Sequence, residues 1–234
     1  MDCRVVTEDL NKAALAREAE ERGYLYGLLA ALFQSEPDGE LLAKLATPEF
    51  LAALAHSGAR TECLRADGAD GYRDQETLAL EYTQLFIGPG RHVSPHEAVH
   101  LPEEGGHMGE SSVAVRHFIE SSGMAYQPSY PGMPDHLSVE LEFMQHLASA
   151  EAQALRRDDE AQRTIAVDLQ GDFLRRHLGE WLPSFAARVR AQAQLGFYAE
   201  LAELAARFVA SELETLRQSS ILARNPSKRS RGTD

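Results

Sequence analysis

Residues 129–148, Ser-Tyr-Pro-Gly-Met-Pro-Asp-His-Leu-Ser-Val-Glu-Leu-Glu-Phe-Met-Gln-His-Leu-Ala, decide the fold. Their first part cannot be helical, and their second part carries a helix's period. Pro131, Gly132 and Pro134 prevent a regular helix before Asp135. Asp135 then stands where an N-cap belongs, with a carboxylate to accept the free amide hydrogens of a first turn. Leu137, Leu141, Met144 and Ala148 follow at spacings of four, three and four, the stripe of a helix packed on a core. Glu140 and Glu142 are expected off that stripe. A core helix does not by itself explain an Asp135–His136 pair on the rim of a proline-rich loop, where loop chemistry and the helix dipole meet.

The same period recurs on both sides. Toward the N-terminus, residues 1–11 read as a lead-in, followed by a helix over 12–34 with Leu25, Leu28, Leu29 and Leu32 on one face. Pro37 ends it. Short helices are predicted over 39–45 and 48–56, then a polar connection over 58–72. A helix over 74–86 buries Leu78, Tyr82 and Leu85. Residues 88–107 differ in kind, with four glycines, three prolines and no period; so long a structureless loop is usually functional or disordered. A helix over 110–120 is predicted to turn Val113, His117 and Phe118 inward. Beyond the opening stretch, helix continues to about 157. Another covers 159–177 with Ile165, Leu169 and Phe173 in register. Pro183 is read as starting a further helix, and 197–218 forms the last, with Leu201, Leu204 and Phe208 on its face. Residues 221–234 read as a basic, disordered tail. No strand pattern and no fixed-period repeat occurs. The expectation is an all-α protein, one globular domain of about eight to ten helices over 12–220.

Composition narrows the function. The chain has 234 residues, 44% of them apolar, and a formal charge of -13. That charge argues against nucleic-acid binding, which needs basic surface, and favours a cationic partner. Cys3 and Cys63 have no metal or redox spacing, which suits a reducing compartment. Residues 1–10 hold no long apolar run, so neither a signal peptide nor stable membrane insertion is expected.

Two further segments carry candidate chemistry. Leu80-Glu81-Tyr82-Thr83-Gln84-Leu85-Phe86-Ile87-Gly88-Pro89-Gly90 is an aromatic-rich helix end with Gly88 suited to a left-handed cap. Ser94-Pro95-His96-Glu97-Ala98-Val99-His100-Leu101 places acid and imidazole inside the long loop. Taken with Met133-Pro134-Asp135-His136-Leu137 and Glu140-Leu141-Glu142-Phe143-Met144, these segments resemble, in order and spacing, the TorD/DmsD family of chaperones for molybdenum-cofactor redox enzymes. The resemblance implies an all-helical cytoplasmic chaperone, not an enzyme and without a cofactor of its own. Its partners would be a molybdoenzyme catalytic subunit and that subunit's twin-arginine leader, with export delayed until the cofactor is inserted. It implies client-binding roles for Tyr82, Leu85, Phe86, Gly88 and Pro89, for Pro95, Glu97 and Val99, and for Pro134, Asp135, His136 and Glu140. The chain departs from the family pattern in having His96, Ala98 and His100 where Tyr, Ser and Tyr are common.

Chemistry fits such a partner. Guanidinium groups favour carboxylate acceptors, which makes Glu97 and Asp135 candidates, and an apolar leader segment could lie as a helix against Tyr82, Phe86 and Leu101. A rival reading is a metal-binding helical protein using His92, His96 and His100, four residues apart. Pro95 argues against the helix that would align them, and the Glu-x-x-His pairs of di-iron bundles are absent. No phosphate-loop motif occurs. The segment 105–109 leads into a helix, but Glu103, Glu104 and Glu110 would repel phosphate there. The chain is expected as a monomer or a domain-swapped homodimer.

Overall fold

The computed structural model describes residues 3–45, 47, 75–101, 109–125 and 132–224. The helix expected over 48–56, the connection over 58–72 and the glycine segment at 105–108 lie outside them. Among the described residues there are eight α-helices and no strand: α1 (Cys3–Gln34), α2 (Gly39–Leu45), α3 (Gln75–Tyr82), α4 (Glu110–Ser121), α5 (Leu137–Arg156), α6 (Glu160–Arg176), α7 (Leu178–Gln192) and α8 (Gly196–Arg224). The all-α expectation holds. No helix among the described residues is long and apolar enough to cross a membrane.

The most extensive helix pairing is α1 with α5, followed by α7 with α8 and α5 with α6. Glycine permits the first of these. A Cβ on Gly27 would come within 2.5 Å of the end of the Gln145 side chain, so Gln145 lies over Gly27 and a larger residue there would make it swing aside. The stripe read from the opening stretch is real, since Leu137, Leu141, Met144 and Ala148 are all buried, as are Leu25, Leu28, Leu29 and Leu32 opposite. Trp181, Tyr26, Tyr198, Phe33, Phe173 and Phe185 are the largest fully buried side chains, each contributing about 1.5–3 kcal/mol of burial.

Several local expectations are corrected. α1 begins at Cys3 instead of residue 12, and α8 runs to Arg224, past the expected end at 220. The helix over 74–86 is α3 followed by one π-helical turn, Thr83–Ile87. Gly88 closes that turn with its N–H on the Thr83 carbonyl at 2.6 Å. Its φ of -60° and ψ of 161° are extended, not left-handed. In α4, Val113 and His117 face solvent while Ser112, Val115, Phe118 and Ile119 are buried. In α6, Ile165 is exposed, and the buried face is Ala166, Gln170, Phe173 and Leu174. Pro183 lies inside α7, which starts at Leu178. Glu140 is fully buried on α5; Glu142 is exposed as expected.

Candidate functional site

The long loop is held down by the helix start that follows it. His96 and His136 form an isolated antiparallel bridge, with Glu97 N–H donating to the Asp135 carbonyl at 3.0 Å and Leu137 N–H to the Pro95 carbonyl at 2.8 Å. Glu97–Val99 then makes a short 3-10 turn against α4 and α7. Residues 95–101 of the loop thus hold a defined conformation without a sequence period, by borrowing hydrogen bonds from a segment about forty residues away.

Asp135 is not the cap of α5. That role belongs to His136, whose Nδ1 accepts the Ser138 N–H at 3.1 Å and is bonded to the Ser138 hydroxyl at 2.7 Å. Accepting at Nδ1 leaves the ring proton on Nε2. The Asp135 carboxylate instead turns inward, accepting from Ala98 N–H at 3.3 Å and from the Ser112 hydroxyl. Glu97 is also buried. It accepts from the Ser111 hydroxyl at 3.0 Å and from His177 Nδ1 at 3.0 Å. Glu140 accepts from Trp181 Nε1 at 3.2 Å. Burial, then the nearby carboxylates of Glu97 and Asp135, push the Glu140 carboxyl well above its ordinary range. That favours the neutral acid, whose Oε1 has no hydrogen-bond partner among the described residues. Three carboxyl groups thus share one buried cluster because one keeps its proton and two receive donors.

Burial favours the neutral form of His96, His100 and His136. Burial lowers His136 to about 4, helped by His96 and opposed by Asp135. Burial likewise lowers His96, against Asp135, and lowers His100. His100 donates Nε2–H to the Ser94 carbonyl at 2.7 Å and stacks on Trp181 at 5.3 Å. Among the described residues no three His, Cys, Asp or Glu side chains are placed to hold a metal ion, so His92, His96 and His100 do not form the site of the rival reading.

The helix-ending segment divides differently. Tyr82 and Phe86 belong to the core with Phe33, Phe185 and Tyr198, and Tyr82 donates its hydroxyl to the Phe33 carbonyl at 3.0 Å. Both are buried there, and Leu101 is packed against the same core. The large apolar side chains this segment presents to solvent are Leu80 and Ile87, 59% and 63% exposed. The same segment borders a pocket of about 290 Å³ lined by Glu81, Gln84, Leu85, Gly88, Pro89, Gly90 and Arg91, with Gln192 and Gln194 across it. Pro95, Val99 and Pro134 sit at the clamp, Val99 half exposed. A wider groove of about 860 Å³ separates α4 from α6, where Val113 and Leu169 lie between Glu110, Asp172 and Arg176.

Sequence reasoning missed Ser111, Ser112, His177, Trp181 and the role of Glu81. Ser112 had a signal, since it precedes Val115 and Ile119 at three and seven residues and so shares their stripe. His177 had none.

The sequence is similar to those of known proteins along most of its length. A Chaperone protein TorD from a Shewanella strain (MR-4) is 30% identical, over 84% of this chain and 94% of its own. One from Vibrio cholerae is 27% identical, over 84% of this chain and 92% of its own. The family description "Nitrate reductase delta subunit" matches residues 41–187. The chain belongs to this family, that of the TorD chaperones. A solved structure of a candidate redox enzyme maturation protein from Archaeoglobus fulgidus overlaps 84% of this chain and 93% of its own at 23% identity. Its TM-score of 0.43 is too loose to argue from.

Proposed function

We propose that this protein is a cytoplasmic chaperone for a molybdenum-cofactor oxidoreductase, binding the apo catalytic subunit and its twin-arginine leader and delaying export until the cofactor is in place. The observation that carries the reading is the match to chaperones along 84% of the chain and nearly all of theirs. The surface supports it. Leu80 and Ile87 are exposed apolar side chains on the segment that borders the pocket, which suits a partner with an apolar stretch. The charge of -13 draws in a cationic leader. Nothing in this role asks the chain for covalent chemistry.

The test is isothermal calorimetry of the folded protein against the leaders of molybdoenzymes encoded beside it. Binding that weakens when both arginines become glutamine supports the reading. No heat with any such leader, together with no co-purification of an apoenzyme, would overturn it.

A further inference from the structure

The hollow beside Gly88 offers a ligand little. The Glu81 carboxyl in its wall is buried and accepts the N–H groups of Gln194 at 2.9 Å and Leu195 at 2.6 Å, so it is taken up within the fold. The groove between α4 and α6 differs, because its lining is open to solvent.

Both of these helices carry a second apolar line. α4 buries Ser112, Val115, Phe118 and Ile119, yet Val113 is 64% exposed, and Ala114 is exposed beside it. α6 buries Ala166, Gln170, Phe173 and Leu174, yet Ile165 is 51% exposed and Leu169 is half-buried. Scattered singly, such side chains would need no account. Here Val113, Ala114 and Leu169 line one groove of about 860 Å³, and Ile165 continues the α6 line one turn beyond Leu169. α4 has 12 residues, so its wall is roughly 18 Å long and can receive about three turns of an incoming helix.

Charge narrows the occupant. Asp172 is paired with Arg175, and the Arg176 guanidinium lies over the Phe118 ring at 5.4 Å. Glu110 is then the lining carboxylate with no ion-pair partner among the described residues. It is exposed, and it adjoins Ser111, whose hydroxyl donates to Glu97 of the clamp. The groove thus has an acidic end beside the clamp and apolar walls beyond it.

We infer that the α4–α6 groove seats the apolar stretch of the leader, bound as a helix across Val113, Ala114 and Leu169 with its arginine end at Glu110. This rests on the proposed function and gives the leader a place on that chaperone. Arg176 repels a cationic end from the middle of the groove, which fixes the direction in which the helix lies.

The test is calorimetry of the full chain with two synthetic peptides: Arg-Arg followed by a leucine-rich segment, and the same segment preceded by two glutamines. Val113→Asp changes an exposed position, so it should melt as wild type does. It should bind the Arg-Arg peptide at least about tenfold more weakly, because its carboxylate would enter an apolar contact without a partner. Leu10→Asp, on the exposed face of α1, should bind as wild type does. Glu110→Gln should weaken the Arg-Arg peptide several-fold and the glutamine peptide little; an equal effect on both would overturn the placing of the arginines. Wild-type affinity in folded Val113→Asp, or an equal loss in Leu10→Asp, would overturn the seat while leaving the chaperone reading intact. A wild-type dimer that Val113→Asp dissociates with no change in peptide affinity would give the groove to a second copy and overturn the seat. Failure of wild type to bind either peptide would overturn the seat together with the leader reading.

Discussion

Replacing Asp135 by serine would be harmless if it were a helix cap, because serine caps as well as aspartate. Its carboxylate instead joins Ala98 N–H to the Ser112 hydroxyl in a buried place. Serine is too short to serve both donors, so Asp135→Ser should lose about 2 kcal/mol or more in urea unfolding. His136→Ala, which removes the true cap, should lose about 1 kcal/mol. Equal and small losses would return Asp135 to the cap. Glu140 gives a prediction of opposite sign. Its folded pKa lies above the unfolded one, so the native state keeps a proton that the unfolded chain releases above about pH 4.3. Its contribution is therefore full at low pH and declines as pH rises toward the folded value. Glu140→Gln mimics the neutral acid and should melt close to wild type at pH 5 and above it at pH 9. The Asp-His-Leu block was legible as important in the sequence, but the direction its carboxylate faces was not. That direction is set by Ala98 and Ser112, which no local pattern connects to it.

Between elements, the stability of the bundle depends on two junctions. One is the Arg22 guanidinium of α1, which donates to Glu151 of α5 at 2.6 Å and to Glu212 of α8 at 3.3 Å. Gln170 of α6 also donates to Glu151, at 2.9 Å. Two carboxylates share one buried cation, and Glu212 is pushed up to about 7, first by burial, against the pull of Arg22. Stability from this group falls as pH rises from about 4.3 through about 7, a slope that Glu212→Gln should remove. Arg22→Ala leaves Glu212 without its cation and Glu151 with Gln170 alone, and should cost about 3–5 kcal/mol by chemical denaturation. The other junction is the corner from α6 to α7. A Cβ on Gly179 would lie 2.5 Å from the Leu174 carbonyl, which is backbone and cannot swing aside. Gly179→Ala should therefore cost about 1–3 kcal/mol. Gly27→Ala meets only the end of the Gln145 side chain and should cost less. Helices were readable where a long apolar stripe dominates the buried face, as in α1, α5 and α8, even though Glu140, Glu151 and Glu212 are buried beside it. Readings slipped by a position or more in α4 and α6, where Ser112 and Gln170 occupy that face and make the apolar count point elsewhere. The α7 start was misplaced because Pro183 looks like a first-turn residue and is not one.

For the whole molecule, the formal charge of -13 sets the range over which a cationic leader is attracted. That attraction is screened over a Debye length of ~10 Å at 0.1 M salt. Leader affinity should fall as salt rises from 50 to 500 mM, and that of a leader with both arginines changed to glutamine should fall little; equal salt dependence of the two would remove the ionic component. The family itself was legible from three short segments, while the division of labour among their acids needed the fold. One consequence concerns the order in which the molecule assembles. The bridge between 95–97 and 135–137 joins parts of the chain about forty residues apart, and the 3-10 turn beside it packs against α4 and α7, so its hydrogen bonds are shielded only once those helices are in place. In pulsed deuterium labelling during refolding, the Glu97, Ala98 and Leu137 amides should gain protection later than those of α1 and α5. A client that engages this face would therefore find it present only on chaperones that have completed their own folding.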